Sequence, residues 1–384
     1  MFSPGIDQLD EIIAKCDDTL AILVGLGMSP NAEKQLERRF SVAEAEKMVG
    51  RSRATLTRQE KDEKRPVVPE KHARSGRVRG YTLDQLNELR DIFGTSPRRT
   101  EGQPCKLLSM QSFKGGVAKS VSTVYFAQYL ALKGYRVLVV DCDPQASATS
   151  SFGFVPDNTF TEADTMSQYI NGTQDSIEYA VIKTYFPGID LVPSCLPWYE
   201  VEFGLFNAVA HAENQEEAIG YYQELREAVR TVEADYDIVL MDSPPALGMT
   251  SINILAAADA IVVPTPPSLY DFASTTQYLK MVKRVMQSIA PDKKFDFIKV
   301  MPTKVERNKS RQMDFLDVMR DKFGLSMLRS IFSSASAIPN AASLYKTLYD
   351  LPKGERDNAT IDMLDEVFGE IESLIVKTWT EAQR

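Results

Sequence analysis

Residues 114–120 read Lys114-Gly115-Gly116-Val117-Ala118-Lys119-Ser120. An apolar run at 107–110 precedes this loop, and a helical pattern over 121–133 follows it. A glycine turn between a strand and a helix start is the setting of a phosphate-binding loop, because backbone N–H groups and the helix dipole point at an anion there. The pattern predicts that Lys119 contacts the β- and γ-phosphates of a nucleotide and that the Ser120 hydroxyl ligates Mg²⁺.

The loop departs from the common G-x-x-x-x-G-K-[ST] form, which would place glycines at 113 and 118. Phe113 and Ala118 stand at those positions, and a second lysine, Lys114, opens the loop. A Gly-Gly pair between lysines can also be an ordinary solvated turn. The remaining motifs of the chain decide between these two interpretations.

Length and charge indicate a modular, acidic chain with one basic segment. The chain has 384 residues, which predicts two or three domains. Residues 51–100 hold 13 Lys and Arg against 7 Asp and Glu, which gives this segment a net charge of +6. Because the net charge of the whole chain is −9, the remaining residues carry −15. A basic module in an acidic chain favours a nucleic-acid contact there, although a charge run can also be a solvated face.

Other sequence features narrow the class of protein. No apolar run approaches a membrane span, and the N-terminus lacks a basic region followed by an apolar one, so we expect neither an anchor nor a secretory signal. The four cysteines are scattered without a C-x-x-C pair, which argues against a disulfide framework or an iron–sulfur site and suits a reducing cytosol.

The first hundred residues predict several helices and a wing. Apolar residues at spacings of three and four over 6–24 predict an N-terminal helix ended by Gly25 and Gly27, which either dimerises the protein or packs on its own domain. We therefore set residues 1–30 apart as a helical segment with a possible dimerisation role. Residues 38–95 form the next module.

Residues 38–95 resemble winged helix-turn-helix domains of the MerR type. Ser41 and Glu44 predict a capping box for a first helix, Gly50 a turn, and Ser52 the cap of a second, basic helix. Residues 74–81 predict a basic wing, and Thr82 caps a further helix over 83–93. The resemblance implies DNA contacts from the basic helix and the wing, through the side chains of Arg51, Arg53, Thr55, Arg58, Arg77 and Arg79.

After a linker at 96–105, strands alternate with helices through residues 106–384. Strand candidates are 107–112, 136–140, 189–193, 237–241, 260–264 and 297–301. Alternation of apolar strands with helices predicts an α/β fold with a buried parallel sheet flanked by helices. Ligands of such sheets bind at the carboxyl ends of the strands.

Two further strand ends carry carboxylates. Asp141 and Asp143 follow one apolar strand, and Asp242 follows another. A carboxylate at the tip of a buried strand is costly unless a cation meets it, and Mg²⁺ is the natural partner beside a phosphate loop. We therefore assign Asp242 as the Walker B carboxylate, Asp143 as the group that orients the attacking water, and Asp141 as a support for the Mg²⁺ water shell. A single Asp at the end of a strand could instead be an ordinary turn residue.

Three segments resemble the deviant Walker ATPases of the ParA/MinD class: KGGVAKS, VLVVDCDPQASATSSFG and DYDIVLMDSPPALG. The match covers roughly residues 105–345. In that family the first lysine of the loop, Lys114 here, reaches the partner's nucleotide, so that ATP joins two subunits and hydrolysis releases them. The resemblance implies nucleotide contacts from residues 114–121, with Val121 the last of them, and from Pro302 and Thr303, and it implies catalytic roles for Lys114, Lys119 and Asp143.

A helix-turn-helix ahead of such an ATPase resembles the larger ParA proteins and the RepA proteins of repABC plasmids. The resemblance implies a cytoplasmic, nucleoid-associated DNA partition ATPase that uses ATP, ADP and Mg²⁺. Its ATP-bound homodimer would bind DNA non-specifically, a ParB-type protein would stimulate hydrolysis, and the N-terminal module would repress its own operon. An alternative is a transcriptional repressor whose ATPase fold only senses nucleotide. A MinD-like membrane cycle is disfavoured, because residues 361–372 are acidic.

Overall fold

The computed structural model describes residues 6–23 and 34–381, and the predicted glycine stop at Gly25 and Gly27 lies outside them. The helices, in chain order, are α1 Ile6–Leu23, α2 Val42–Val49, α3 Arg53–Gln59, α4 Leu83–Phe93, α5 Lys119–Lys133, α6 Ser147–Ser151, α7 Pro156–Thr159, α8 Ser167–Ile170, α9 Trp198–His211, α10 Gln215–Tyr221, α11 Glu224–Arg230, α12 Met249–Ala257, α13 Leu269–Ile289, α14 Ser310–Phe323, α15 Ala337–Ala342 and α16 Asn358–Glu381.

Ten strands lie between these helices. They are β1 Glu70–Lys71, β2 Val78–Gly80, β3 Lys106–Met110, β4 Val137–Asp141, β5 Ile182–Lys183, β6 Ile189–Val192, β7 Ile238–Asp242, β8 Ala260–Thr265, β9 Phe297–Val305 and β10 Phe332–Ser333. Each of the six predicted strands is present. Three strands of two residues, β1, β5 and β10, were not predicted, because two residues carry no readable periodicity.

Eight strands form one sheet in the order β10-β9-β8-β3-β7-β4-β6-β5. Neighbouring strands run parallel, except that the edge strand β5 is antiparallel to β6. Residues of β3, β4 and β7 are buried throughout, as a sheet covered by helices on both faces requires. The predicted α/β architecture is confirmed.

The order β3-β7-β4 positions the predicted site. Met110 pairs in register with Asp242, and Asp242 pairs with Asp141 on the other side. The loop after β3 and the two carboxylate-bearing strand ends therefore meet at one edge of the sheet. Helix α5, which begins at Lys119, packs against β3, β4 and β7 and carries the loop's C-terminal end.

The N-terminal elements form where their caps predict them. Ser41 accepts a hydrogen bond from Glu44 N while Glu44 accepts from Ser41 N, and Gly50 ends α2 in the left-handed conformation. Ser52 caps α3, and Thr82 with Gln85 forms a second capping box on α4. Strands β1 and β2 pair antiparallel as a short hairpin in the region of the predicted wing.

Helices α2 and α4 pack directly on the sheet domain. Arg90, whose side chain is buried, donates to the carbonyls of Met48 in α2 and Leu132 in α5. Arg99, in the segment between α4 and β3, donates to the carbonyls of Tyr236, Glu233 and Ala234. One continuous hydrophobic core therefore includes residues of both regions.

Strand β9 differs from its prediction. The pattern predicts a strand over 297–301, whereas β9 runs from Phe297 to Val305. Pro302 and Thr303 therefore lie within the strand and are buried, rather than beyond its end. Within the described ranges, no helix is long and apolar enough to cross a bilayer.

Candidate nucleotide site

The glycine-rich loop folds as a tight turn that leads into α5. Gly116 has φ 71° and Ala118 has φ 77°, so two residues of the turn occupy the left-handed region. Glycine adopts that region freely, whereas alanine does so at a cost of roughly 1–2 kcal/mol. The backbone at Ala118 is therefore strained, at the start of helix α5.

Lys119 turns back over its own loop. Its side chain is buried, and Nζ lies 3.2 Å from the carbonyl oxygen of Lys114. Burial lowers the pKa of Lys119, while the nearby charges of Asp242 and Asp143 partly restore it. A desolvated ammonium group inside a loop of backbone N–H donors is suited to contacting phosphate oxygens.

Asp242 ends β7 beside the loop and is fully buried. Burial raises the pKa of Asp242, and the charge of Asp141 raises it further, while the Ser120 hydroxyl lowers it in part. Thr123 Oγ1 donates to Asp242 Oδ1 at 3.3 Å, but Asp242 Oδ2 has no partner within the described part of the chain. A buried carboxylate oxygen without a donor, next to a serine hydroxyl and a phosphate loop, fits Mg²⁺.

Asp141 ends β4, as predicted, and its side chain is buried. Its Oδ2 accepts from Thr149 N and Thr149 Oγ1, each at 2.8 Å, and its Oδ1 accepts from Asp143 N at 3.1 Å. The Asp141 carboxylate therefore accepts three hydrogen bonds. Asp141 thus fastens the segment after β4 and positions the backbone of Asp143, while its role beside the Mg²⁺ water shell stays a prediction.

Asp143 lies at the mouth of the site, with 7% of its surface exposed. Its Oδ1 accepts from Gln145 N at 2.9 Å. Burial raises the pKa of Asp143, while the ammonium group of Lys119 lowers it. A partly desolvated carboxylate at this place is able to accept a proton or orient a nucleophile.

Lys114 pairs within its own chain. Its Nζ lies 2.5 Å from Asp271 Oδ1, in the first turn of α13, and 46% of the lysine side chain is exposed. The Ser268 hydroxyl donates to Asp271 and caps α13. The lysine is therefore held beside the nucleotide loop rather than directed away from the molecule.

Pro302 and Thr303 do not form an open surface. Both are buried inside β9, and Thr303 Oγ1 has no hydrogen-bond partner in the described chain. Lys304, the next residue, is exposed and has φ 52°, so the backbone bends there. The strand continues through this segment because Thr265 of β8 pairs with Pro302 in parallel register.

The side chains predicted for DNA contact lie on the N-terminal module. Arg53 and Arg58 are exposed on α3, as is Arg77 before the wing strand. Arg51 donates to the carbonyls of Gly50 and Phe93, and Arg79 lies 3.6 Å from Glu70. Thr55 shares a hydrogen bond with the capping Ser52. Arg53, Arg58 and Arg77 are thus the more accessible members of the set.

Sequence reasoning missed three residues that shape the site: Thr123, Thr149 and Asp271. Thr123 lies within a helical pattern, and Thr149 lies within the quoted segment 137–153, but neither position by itself indicates a contact with a carboxylate. Asp271 had a signal, because Ser268-x-x-Asp271 follows the predicted end of β8 and is a capping pattern. Its contact with Lys114 spans 157 residues of sequence and could not be predicted from that pattern.

Comparison with known proteins shows which sequences this chain resembles. A family model described as an AAA domain matches residues 105–295. Protein SopA of Escherichia coli strain K12 is 33% identical over 340 residues, which cover 86% of this chain and 85% of SopA. The chromosome partitioning protein ParA of Caulobacter vibrioides strain NA1000 is 28% identical over 252 residues, which cover 65% of this chain and 88% of ParA.

Two solved structures show the same architecture. A structure described as a partition protein has a TM-score of 0.67 at 19% identity, covering 97% of this chain and 99% of its own, which demonstrates a shared fold. Cobyrinic acid a,c-diamide synthase from Mycobacterium smegmatis has a TM-score of 0.52 at 26% identity, covering 63% of this chain and 91% of its own. That synthase was solved with bound ADP and magnesium.

Proposed function

Because this chain belongs to the family of P-loop partition ATPases that includes SopA and ParA, we propose that it is an ATP-driven DNA partition protein. The observation that carries the proposal is the meeting of the 114–120 loop with Asp143 and Asp242 at one edge of the sheet. Phosphoryl transfer is catalysed mainly by positioning and electrostatic stabilisation, and this edge supplies a lysine, a hydroxyl and two carboxylates.

Each residue of the site has a proposed role. Lys119 and the backbone of residues 115–121 hold the phosphates of ATP or ADP. Ser120 and Asp242 hold Mg²⁺, which would neutralise charge on the phosphates. Asp143 orients the attacking water and accepts its proton, while Asp141 positions Asp143. We retain Pro302 and Thr303 only as neighbours of the base, since both are buried in β9.

The proposed cycle includes a nucleotide-dependent homodimer. Lys114 would leave Asp271 and contact the nucleotide of the second subunit, so that dimerisation and nucleotide state are coupled. Helix α1 offers a second dimer contact that needs no nucleotide. Its apolar residues Ile6, Leu9, Ile12 and Ile13 are each at least 50% exposed in the single chain. An apolar helix face of this kind supports the dimerisation interpretation of residues 1–30 over packing on its own domain.

We further propose that residues 38–95 bind the operator of the protein's own operon, that 96–105 is the linker, and that residues 106–384 form the ATPase domain. Arg53 and Arg58 on α3 would enter the major groove, with Arg77 on the wing side. The ATP-bound dimer would bind DNA of any sequence through lysine and arginine contacts to phosphates. A ParB-type protein would stimulate hydrolysis, and the protein would act in the cytoplasm on the nucleoid.

A second candidate function is a transcriptional repressor that senses nucleotide without partitioning DNA. The observation in its favour is the direct packing of α4 on α5, where Arg90 donates to Leu132 O. Helix α5 begins at Lys119, so one rigid element connects the nucleotide loop to the N-terminal module. Nucleotide binding could thereby alter the affinity for the operator without any role in DNA partition.

DNA binding distinguishes the two functions. The full-length protein is titrated with random-sequence duplex and with the DNA upstream of its gene, each with ATP, ADP or no nucleotide. A partition ATPase binds random duplex only with ATP and prefers the upstream site with ADP. Upstream binding that ignores nucleotide, without any ATP-dependent binding to random duplex, contradicts the proposal and leaves a repressor.

A further inference from the structure

A cavity of about 410 Å³ lies between the N-terminal module and the ATPase domain, away from the nucleotide loop. The N-terminal side contributes Arg38, Glu44 and Lys47, and the ATPase side contributes Lys133 and Arg356. Its volume falls within the range of about 300–1,000 Å³ that small-molecule sites occupy.

Two buried guanidinium groups meet in this cavity without enough acceptors. The side chains of Arg38 and Arg356 are 9% and 7% exposed. Both approach the same oxygen, Glu44 Oε1, at 3.6 and 3.7 Å, which is too long for a hydrogen bond. The other oxygen of Glu44 is used by the Ser41 amide and hydroxyl.

The donors of these arginines are left mostly unmet. Arg38 donates once, to the carbonyl of Tyr349 at 3.1 Å, and its Nε is buried without a partner. Arg356 makes no hydrogen bond with any described residue, and its Nε is also buried. A guanidinium group that is buried without a hydrogen bond has lost its water and gained no other acceptor, which costs free energy. The cavity therefore lacks an acceptor for these two arginines.

The charge of the cavity is also unbalanced. Its walls carry five cations, Arg38, Lys47, Arg90, Lys133 and Arg356, against two acids, Glu44 and Asp365, which leaves +3. Burial, followed by repulsion from Arg356, lowers the pKa of Arg38 to about 10. An anion between the two guanidinium groups would accept their hydrogen bonds and would offset their repulsion.

We propose that this cavity binds a phosphate dianion, either free or as the head group of a phosphate monoester. Planar guanidinium groups bind phosphate oxygens in pairs of hydrogen bonds, and two of them converge here. A phosphate monoester carries −1.5 to −2 charges near pH 7 and offsets most of the excess charge, whereas one carboxylate offsets only a third of it. The rings of Tyr129 and Tyr349 line the wall and leave apolar surface for an organic group.

The site is separate from the nucleotide loop and joins two regions of the protein. Helix α5 has 15 residues, so its Lys133 end lies roughly 20 Å from its Lys119 end. A ligand held by Arg38 from one side and Arg356 from the other would stabilise the docking of the N-terminal module on the ATPase domain.

The test uses the full chain carrying Lys119→Ala, which removes phosphate contact at the nucleotide loop. Inorganic phosphate and AMP are titrated by calorimetry and by thermal melting, at constant ionic strength set with potassium chloride. We expect saturable binding to one site and a rise in melting temperature. Arg356→Gln should weaken that binding at least about tenfold, because it removes charge-assisted hydrogen bonds.

Matched variants make the result specific. Lys353→Gln removes one positive charge from the same loop, outside the cavity, and should leave binding unchanged. Without phosphate, Arg356→Gln should change the melting temperature little, since the loss of the 3.7 Å ion pair with Glu44 is offset by the loss of repulsion from Arg38. Tighter binding of AMP than of phosphate identifies a monoester, and equal binding identifies the free anion.

Three results would each overturn the proposal. The first is the absence of saturable binding up to about 20 mM phosphate or AMP, a concentration that even a weak site would reach. The second is binding that Arg356→Gln leaves intact. The third is an equal loss of binding in Lys353→Gln, which would make the effect one of net charge rather than of the cavity.

Discussion

Replacing Asp271 with Asn should strengthen ATP-dependent dimerisation, because it releases Lys114 from its own chain. In the single chain Lys114 Nζ lies 2.5 Å from Asp271 Oδ1. If Lys114 contacts the nucleotide of the second subunit, this pair must break before the contact forms. Asparagine keeps the shape of the side chain and an oxygen for the Ser268 hydroxyl, so α13 should remain capped.

The size of the effect follows from exposure and symmetry. The lysine side chain is 46% exposed, so water screens the pair and its contribution is about 0.5–1 kcal/mol. A twofold dimer breaks two such pairs, which gives about 1–2 kcal/mol for the association, or roughly a 5- to 30-fold tighter dimer.

Sedimentation equilibrium with a non-hydrolysable ATP analogue measures this constant. Asp317→Asn is the matched control, because Asp317 forms an exposed ion pair with Arg320 on α14. This substitution removes one negative charge, as Asp271→Asn does. The gain should vanish in a Lys114→Met background. An unchanged dissociation constant, or a gain that persists in that background, would refute the assignment of Lys114.

The remaining predictions concern the nucleotide and DNA contacts. Lys119→Ala should weaken ATP binding about 100-fold or more, because two charge-assisted phosphate contacts are lost; calorimetry giving wild-type affinity would remove the lysine from the site. Asp143→Ala should keep ATP affinity but abolish turnover, and phosphate release at the normal rate would assign the water to another group. Asp242→Asn should raise the Mg²⁺ concentration for half-maximal ATPase activity at least about tenfold, and an unchanged Mg²⁺ titration would contradict its role as a ligand. Arg53→Ala with Arg58→Ala should eliminate the operator footprint while ATPase activity stays normal, with Lys322→Ala as the exposed control; a retained footprint would exclude α3 as the recognition helix.

Local sequence patterns predicted the elements and many of their ends. The capping boxes at Ser41 and Thr82 specify helix starts because side chain and backbone within four residues satisfy each other. The apolar runs before Asp141 and Asp242 specify buried strands because covered parallel strands need apolar residues on both faces. These interactions involve residues that are close in sequence, so the local sequence is enough to predict them.

The end of β9 was predicted wrongly, and the hydrogen-bond partners of Asp141 were not predicted, for a related reason. The pattern predicted a strand over 297–301, but the pairing of Pro302 with Thr265 of β8 keeps the strand extended, and it ends at Val305. The local pattern likewise does not show that Thr149 and the backbone of Asp143 donate to the Asp141 carboxylate. Partners contributed by another strand or by a later turn do not appear in the local pattern.

By itself, the sequence determined that a phosphate loop and two carboxylate-bearing strand ends would lie at the carboxyl edge of one parallel sheet. Only the tertiary structure decided that β7 lies between β3 and β4, which sets Asp242 level with Asp141, and that Lys114 meets Asp271. It also decided that Arg38 and Arg356, 318 positions apart, share Glu44. The physical reason is that strand order and side-chain contacts at such separations arise from the packing of the whole chain, whereas propensities and caps act over a few residues.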